Sequence, residues 1–178
     1  MRPCDRLHLA FTIGKPLQMA PKPENSPLRM RRSIRVSRSP NELWGAFLTK
    51  ESMEQWWGAK TGTPEAGTAQ GQFLDVYEPR AGGCIQMAVM WEAKRVSYGG
   101  TIQVFEAGKE LTFESNWIPN RVWAAPTFVT IRLSPALAGT LVELFHHGFE
   151  HTGANAAAEH AGYETGWGMT QLNALKQI

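Results

Sequence analysis

Hydrophobic and polar residues alternate along much of the chain beyond residue 30, which is typical of strands with one buried and one solvated face. The first alternating stretch contains Ile34 and Val36, each between polar neighbours. Six more strands are predicted between turn residues: Gln72–Tyr77, Cys84–Trp91, Val96–Phe105, Glu110–Trp117, Thr127–Leu133 and Thr140–Phe149. We expect antiparallel neighbours, because the loops between these strands are short.

Two short helices are predicted directly after the first strand. Ser39 followed by Pro40 is a hydroxyl N-cap with proline at the first helical position. Glu42 stands three residues after Ser39 and completes a capping-box pattern. A second start signal follows at Thr49 with Ser52, so the two helices are expected to be joined tightly.

A long amphipathic helix is predicted at the C-terminus, with small and apolar residues at steps of three and four: Ala154, Ala158, Ala161, Thr165, Met169, Leu172 and Leu175. It would span about 24 residues, enough to cover the dry face of a sheet. Gly162 and Gly166 in this helix allow either close approach to another backbone or space for a ligand. The elements together predict an α+β helix-grip fold, in which a curved antiparallel sheet wraps around the long C-terminal helix and leaves a cavity between them.

Composition and cysteine content exclude several classes of protein. The chain is 43% hydrophobic and 19% charged, which excludes a disordered or collagen-like polymer. It contains no run of 18 apolar residues, so we expect no membrane insertion. Cys4 and Cys84 are too few for a disulfide framework, which favours a reducing, cytoplasmic location.

Residues 1–29 are expected to form a flexible basic arm that precedes a domain of residues 30–178. Five prolines within them exclude a continuous helix or central strand. Met19 and Met30 are alternative starts, so the arm is either genuine or an artefact of start-site assignment. Residues 1–38 hold nine basic and two acidic side chains, whereas the remainder holds nine and fourteen. Because this basic stretch lacks interleaved aromatic residues and any nucleic-acid motif, no nucleic-acid partner is predicted.

Four segments, in the same order as in the family, resemble the AHSA-type family. These are homologues of the activator of heat-shock-protein-90 ATPase, within the START-like (SRPBCC) superfamily. The segments are the Glu-Gln-Trp-Trp-Gly run at 54–58, the hairpin at 100–117, the Gly-Thr…His-His-Gly-Phe strand at 139–149, and Gly-Trp at 166–167 followed by Leu172 and Leu175. The resemblance covers residues 31–178. Ala107-Gly108 replaces the proline pair that is usual in the hairpin, and residues 122–126 form a bulky entry to the next strand.

This resemblance implies the helix-grip fold of START-like and birch-pollen-allergen-like proteins, and three functions. The first is binding of a small hydrophobic, lipid or aromatic ligand between the sheet and the C-terminal helix. The second is a co-chaperone-like module that stimulates a heat-shock ATPase. The third is a polyketide cyclase or hydrolase-like enzyme. The partners implied are therefore a small apolar molecule or a chaperone, and the protein is either a monomer or a homodimer.

Candidate ligand-binding residues are large rings and adaptable side chains on the predicted inner face: Trp57, Met87, Trp91, Phe113, Trp117, Trp123 and His146. His146 alternates with Val142 and Leu144, so we expect it to face the interior. It is either a buried histidine satisfied by the backbone or a group that orients a ligand. Each ring, taken alone, also fits a role in the hydrophobic core.

No catalytic set, metal site or cofactor is predicted. His147 and His151 have a spacing of four, but nearby glycines interrupt a helix and no cysteine or acid completes a plausible ligand set. Glu143 falls on the opposite alternation from His146, so this pair points apart. No nucleophile elbow, phosphate loop or dinucleotide fingerprint is present. The residues therefore favour a binding protein over an enzyme.

Overall fold

A computed structural model describes residues 27–57, 70–91, 94–118, 123–166 and 168–178. Most of the predicted arm lies outside this part of the chain, as do Gly58 and Trp167 of the family motifs. The described residues form seven strands: β1 (Arg29–Val36), β2 (Gln70–Tyr77), β3 (Cys84–Trp91), β4 (Lys94–Glu106), β5 (Glu110–Ile118), β6 (Thr127–Ala136) and β7 (Gly139–His147).

All neighbouring strands pair antiparallel in one sheet with the order β1-β7-β6-β5-β4-β3-β2. Strands β2 to β7 form the predicted meander, and β1 adds to its far edge beside β7. Curvature is aided by register shifts in the β2–β3 and β4–β5 pairs. The helix-grip class is confirmed by this curved sheet and the helices that follow it.

The two short helices form where the capping signals place them. Helix α1 (Pro40–Leu43) has a complete capping box, in which the Ser39 backbone N–H donates to Glu42 Oε2 at 2.9 Å. A 3₁₀ turn (Trp44–Phe47) leads to helix α2 (Lys50–Trp57). Thr49 and Ser52 cap α2 reciprocally, each backbone N–H donating to the other side chain at 3.1 Å. The apolar residues of this region are buried: Leu43, Trp44, Phe47, Met53, Trp56 and Trp57.

The C-terminal segment differs from the single helix that the spacing predicts. It consists of a 3₁₀ stretch (Phe149–Asn155), helix α3 (Ala156–Gly166) and helix α4 (Met169–Leu175). Gly168, at φ +103°, caps α4 with a backbone conformation that L side chains rarely adopt. The helix is therefore broken before α4, whose Leu172 and Leu175 are buried as the pattern predicts.

The predicted apolar face of α3 is wrong. Ala158 and Ala161 are exposed, as is Ala154 in the preceding 3₁₀ stretch, and the half-buried side chains of α3 include His160 and Tyr163. An aromatic ring buries far more area than a methyl group, so the helix presents its large side chains to the sheet instead of its alanines. The close backbone approach considered at the helix glycines does not hold for Gly162, because a Cβ there would meet no heavy atom within 4 Å.

Strand β7 shows how the sheet separates an inner from an outer face. Thr140, Val142, Leu144 and His146 are buried, and the residues between them are only half-buried. His146 therefore lies on the inner face, as the alternation predicts. No described helix is long and apolar enough to cross a membrane.

Candidate functional site

A buried histidine lies at the end of the inner face of β7. His146 has no exposed surface, and its Nε2 lies 2.8 Å from Thr127 Oγ1 at the start of β6. The Thr127 hydroxyl donates its hydrogen to the backbone oxygen of Ser115 at 2.7 Å. Since a hydroxyl carries a single hydrogen, Thr127 must accept from the imidazole. This geometry assigns the Nε2–H tautomer to His146.

Burial keeps this histidine neutral. Loss of solvation, together with the neighbouring His147 and His160, lowers the pKa of His146 to about 3. An imidazole with such a low pKa is a poor proton acceptor near neutral pH. His146 is therefore suited to orienting a polar group by hydrogen bonding.

Aromatic rings enclose His146. Its centroid lies 4.6 Å from that of Phe149 and 4.5 Å from that of Tyr163, the latter in an edge-on arrangement. The Phe149 ring also meets His160 edge-on at 5.2 Å. Both enclosing rings come from the segment after β7, so the fold brings the C-terminal region onto the end of the sheet.

Two strands of the sheet extend this enclosure. On β5, Trp117 Nε1–H donates to the Tyr163 hydroxyl at 2.7 Å. On β4, the Tyr98 ring lies 5.1 Å from the Trp117 ring, and burial raises the pKa of Tyr98 well above its ordinary value. The Trp57 side chain of α2 opposes this effect and lowers the pKa of Tyr98. We call the whole group the polar-aromatic cluster: Tyr98, Trp117, Thr127, His146, Phe149 and Tyr163.

The seven predicted ligand-binding residues fall into separate environments. Trp117 and His146 belong to the polar-aromatic cluster. Three others are fully buried in the hydrophobic core: Trp57, Met87 and Phe113. Trp57 meets the Phe113 ring edge-on at 5.7 Å.

The remaining two predicted residues lie at strand boundaries. Trp123 is half-buried just before β6, and Trp91 ends β3 with its side chain outside the described residues. Sequence reasoning missed four members of the cluster: Tyr98, Thr127, Phe149 and Tyr163. Tyr163 was hidden by the alanine stripe, although Phe149 follows His146 within the resemblance motif and was a usable signal.

His147 and His151 have structural partners. His147 Nε2 lies 3.4 Å from the Thr130 hydroxyl on the outer face. His151 Nδ1 lies 2.7 Å from the backbone oxygen of Pro126, and since a carbonyl only accepts, this nitrogen donates. Within the described ranges, no three His, Cys, Asp or Glu side chains are grouped to hold a metal ion. Glu143 faces outward and pairs with Arg31, so it points away from His146 as predicted.

Helix α3 covers the polar-aromatic cluster. None of its described side chains is buried, in contrast to Leu172 and Leu175 of α4. Arg32 of β1 holds the end of α3, donating to the backbone oxygen of Glu164 at 2.6 Å and to its carboxylate at 3.1 Å. Helix α3 is therefore held over the cluster by Arg32 at its end and by Tyr163.

Two pockets open elsewhere on the surface of the described residues. One, of about 340 Å³, lies on the outer face of the sheet and is lined by residues that include Phe145, Thr130 and Arg132. The other, of about 520 Å³, lies between the start of α1, the β4–β5 turn and the end of β6. Neither is lined by a predicted ligand-binding residue.

Comparison with known proteins identifies a family and a fold. The profile of the family described as "Activator of Hsp90 ATPase homolog 1-like protein" matches residues 37–178. Protein CV1439 of Chromobacterium violaceum is similar in structure, with a TM-score of 0.61 and 17% identity over 84% of this chain and 94% of that one. A protein of Arthrobacter aurescens has a TM-score of 0.62 and 16% identity over 84% of each chain.

A third similar structure is protein MLL2253 of Mesorhizobium loti, with a TM-score of 0.59 and 18% identity over 84% of this chain and 94% of that one. At these identities the similarity concerns the fold. No sequence among curated proteins matches the chain.

Proposed function

The chain belongs to the Activator of Hsp90 ATPase homolog 1-like family, and on this premise we propose that it is a START-like domain that binds a small apolar or aromatic molecule. The binding site would be the polar-aromatic cluster, where the inner face of the sheet meets α3. The ligand would stack on the aromatic rings and hydrogen-bond to their polar atoms.

One observation supports this site above other parts of the inner face. Most of the inner face is sealed by fully buried side chains, such as Trp56, Trp57 and Phe113. Four members of the cluster are buried as well: Tyr98, Thr127, His146 and Phe149. The other two, Trp117 and Tyr163, are half-buried and hydrogen-bonded to each other under a helix without described buried side chains. Small-molecule sites are mostly apolar with a few placed polar groups, which is the composition found here.

Binding is tested with 2-naphthol, a neutral aromatic probe, by calorimetric titration of the purified full chain. We expect Trp117→Phe to weaken binding by about tenfold, since it removes the indole N–H and part of the stacking surface. Trp44→Phe is the matched control, because Trp44 is buried against Phe47 with ring centroids 4.9 Å apart, away from the cluster. Equal affinities of the two variants, or no binding by the unmodified chain, would contradict the proposal.

A second candidate function, a co-chaperone-like interaction module, is favoured by one feature of the outer face. The half-buried Phe145 ring has the guanidinium groups of Arg31 and Arg132 at 5.8 Å each, beside the 340 Å³ pocket. Aromatic and arginine side chains are the residues enriched in interface hot spots. If this function is correct, the chain stimulates a heat-shock ATPase of the Hsp90 type, and Phe145→Ala abolishes the stimulation while Trp117→Phe does not.

Catalysis of the cyclase or hydrolase type has less support. Its proposed centre, His146, is held neutral with a pKa of about 3. Thr127 and Tyr163, which contact it, are uncharged, and Glu143 points outward. Proton transfer by a histidine works best when its pKa lies near the working pH.

A further inference from the structure

The polar groups of the polar-aromatic cluster are all uncharged. Trp117 donates to the Tyr163 hydroxyl, His146 donates to Thr127, and Thr127 donates to the backbone of Ser115. These bonds are between neutral groups, and none of them needs an ionised partner. The cluster is therefore a set of fixed dipoles.

Charged groups at the edge of α3 are paired with one another. Arg32 and Glu164 form an ion pair of 3.1 Å, and their side chains are 21% and 38% exposed. His160 also contacts this carboxylate, with Nε2 3.5 Å from Glu164 Oε1. These groups compensate one another near solvent, so they offer little counter-charge to a molecule held beside His146.

Two ionisable members of the cluster, His146 and Tyr98, are held in their neutral forms. Burial lowers the pKa of His146 to about 3 and raises the pKa of Tyr98. Each shift has the direction expected where burial disfavours the charged form of a group. The charged form of a ligand placed among the same groups would be disfavoured for the same reason.

We propose that the site selects uncharged ligands, so that a neutral aromatic alcohol or phenol binds and the corresponding carboxylate or ammonium compound does not. This inference rests on the proposed ligand-binding function. A carboxylate moved from water to this position would exchange its hydration for hydrogen-bonding groups that are all neutral, which is a large cost. A hydroxyl group loses much less and can be satisfied by the neutral dipoles of Tyr98, Thr127 or Tyr163.

Three probes of equal ring size test this selectivity: 2-naphthol, 2-naphthoate and 2-naphthylmethylammonium, each titrated into the full chain at neutral pH. We expect 2-naphthol to bind at least about tenfold more tightly than either charged probe. The free energy of a tenfold difference in affinity is only a small part of the cost of removing an ion from water. If 2-naphthoate or the ammonium compound binds as tightly as 2-naphthol, this inference is wrong and the proposed binding function stands. If none of the three binds, the binding function and this inference fail together.

A charge introduced into the cluster provides a second test. Tyr163 is half-buried, so the side chain of Tyr163→Arg can place its guanidinium near the ligand while keeping its stem along the apolar surface. We expect this variant to raise the affinity for 2-naphthoate relative to 2-naphthol by at least about tenfold. Ala161→Arg is the control, because Ala161 is exposed on the same helix.

Comparison of the two arginine variants distinguishes the effect of a charge inside the cluster from the effect of the protein's net charge. An equal gain in 2-naphthoate binding by both variants would show that overall charge, and not the cluster, sets the preference, which overturns the inference. If thermal melting shows that Tyr163→Arg does not fold, the comparison of the three probes on the unmodified chain decides.

Discussion

The indole N–H of Trp117 on β5 donates a hydrogen bond of 2.7 Å to the hydroxyl of Tyr163 on α3. This bond joins the middle of the sheet to a helix that has no buried side chain among its described residues. It also holds Tyr163 edge-on against His146 at a centroid distance of 4.5 Å. The position of α3 over the polar-aromatic cluster therefore depends on few interactions, and each can be removed separately.

Removal of the Tyr163 hydroxyl is expected to lower both stability and ligand affinity. Tyr163→Phe loses one hydrogen bond, worth about 0.5–1.5 kcal/mol in the free energy of unfolding. The matched control is Tyr77→Phe, which removes a 2.7 Å bond to the backbone oxygen of Phe47 away from the cluster. Urea unfolding should show a similar loss in both variants, whereas 2-naphthol titration should show weaker binding only for Tyr163→Phe. Equal affinities would contradict a role for this hydroxyl in binding.

Thr127 is predicted to be essential to the order of the cluster, because it bridges Ser115 and His146 from a fully buried position. Thr127→Val keeps the shape but leaves a buried carbonyl and a buried imidazole N–H without this partner. Each such group costs about 1–3 kcal/mol. Thr127→Ser keeps the hydroxyl and loses one methyl group, worth about 0.8 kcal/mol. Denaturant unfolding of the two variants checks this, and a serine variant no more stable than the valine variant would exclude the bridge.

Stability is expected to fall as pH decreases from about 6.5, and His146 accounts for part of the loss. Its pKa is near 3 in the folded protein and about 6.5 in the unfolded chain, so between these values the unfolded chain binds the extra proton. The folded state is thus favoured fully above about pH 6.5, and the contribution is lost toward pH 3, with a slope of at most about 1.4 kcal/mol per pH unit.

The contribution of His146 is isolated by comparing the unmodified chain with His146→Gln. The pKa of His147 is also lowered by burial, so the unmodified chain contains more than one source of acid sensitivity. Glutamine does not titrate and can still donate to Thr127. The difference in free energy of unfolding between the two proteins should narrow as pH falls, and a constant difference would show that His146 is not the titrating group.

Two glycines of the C-terminal segment are predicted to respond oppositely to alanine. At Gly162, a Cβ meets no heavy atom within 4 Å, so Gly162→Ala should stabilise the helix by about 0.5–1 kcal/mol. At Gly168, with φ +103°, a Cβ would lie 3.1 Å from Arg32 Cγ, so Gly168→Ala should destabilise by about 1–3 kcal/mol. Thermal melting of both variants gives the signs. A destabilised Gly162→Ala would show that this position is packed.

The sequence alone determined the class of fold and the direction in which His146 points. In a strand, every second side chain lies on the same face, so alternation identifies the buried face without knowledge of the neighbouring strands. The alternation of Val142, Leu144 and His146 continues through β7 without a break. Capping signals act within three residues, so Ser39 with Glu42 and Thr49 with Ser52 could be recognised without knowledge of the fold. The ligand-binding role given to His146 and the six other residues stays a prediction.

Only the tertiary structure decided which residues surround His146. Trp117 and Tyr163 are 46 residues apart, and their contact requires the register of β5 and the rotation of α3 together. A stripe of alanines and a line of larger side chains both fit a helical period, so spacing did not show that Tyr163 faces inward and Ala161 outward. The tautomer of His146 likewise depends on which atom accepts the hydrogen of the Thr127 hydroxyl. That acceptor is the backbone oxygen of Ser115, and it is in reach because Ser115 on β5 pairs with Thr127 on β6.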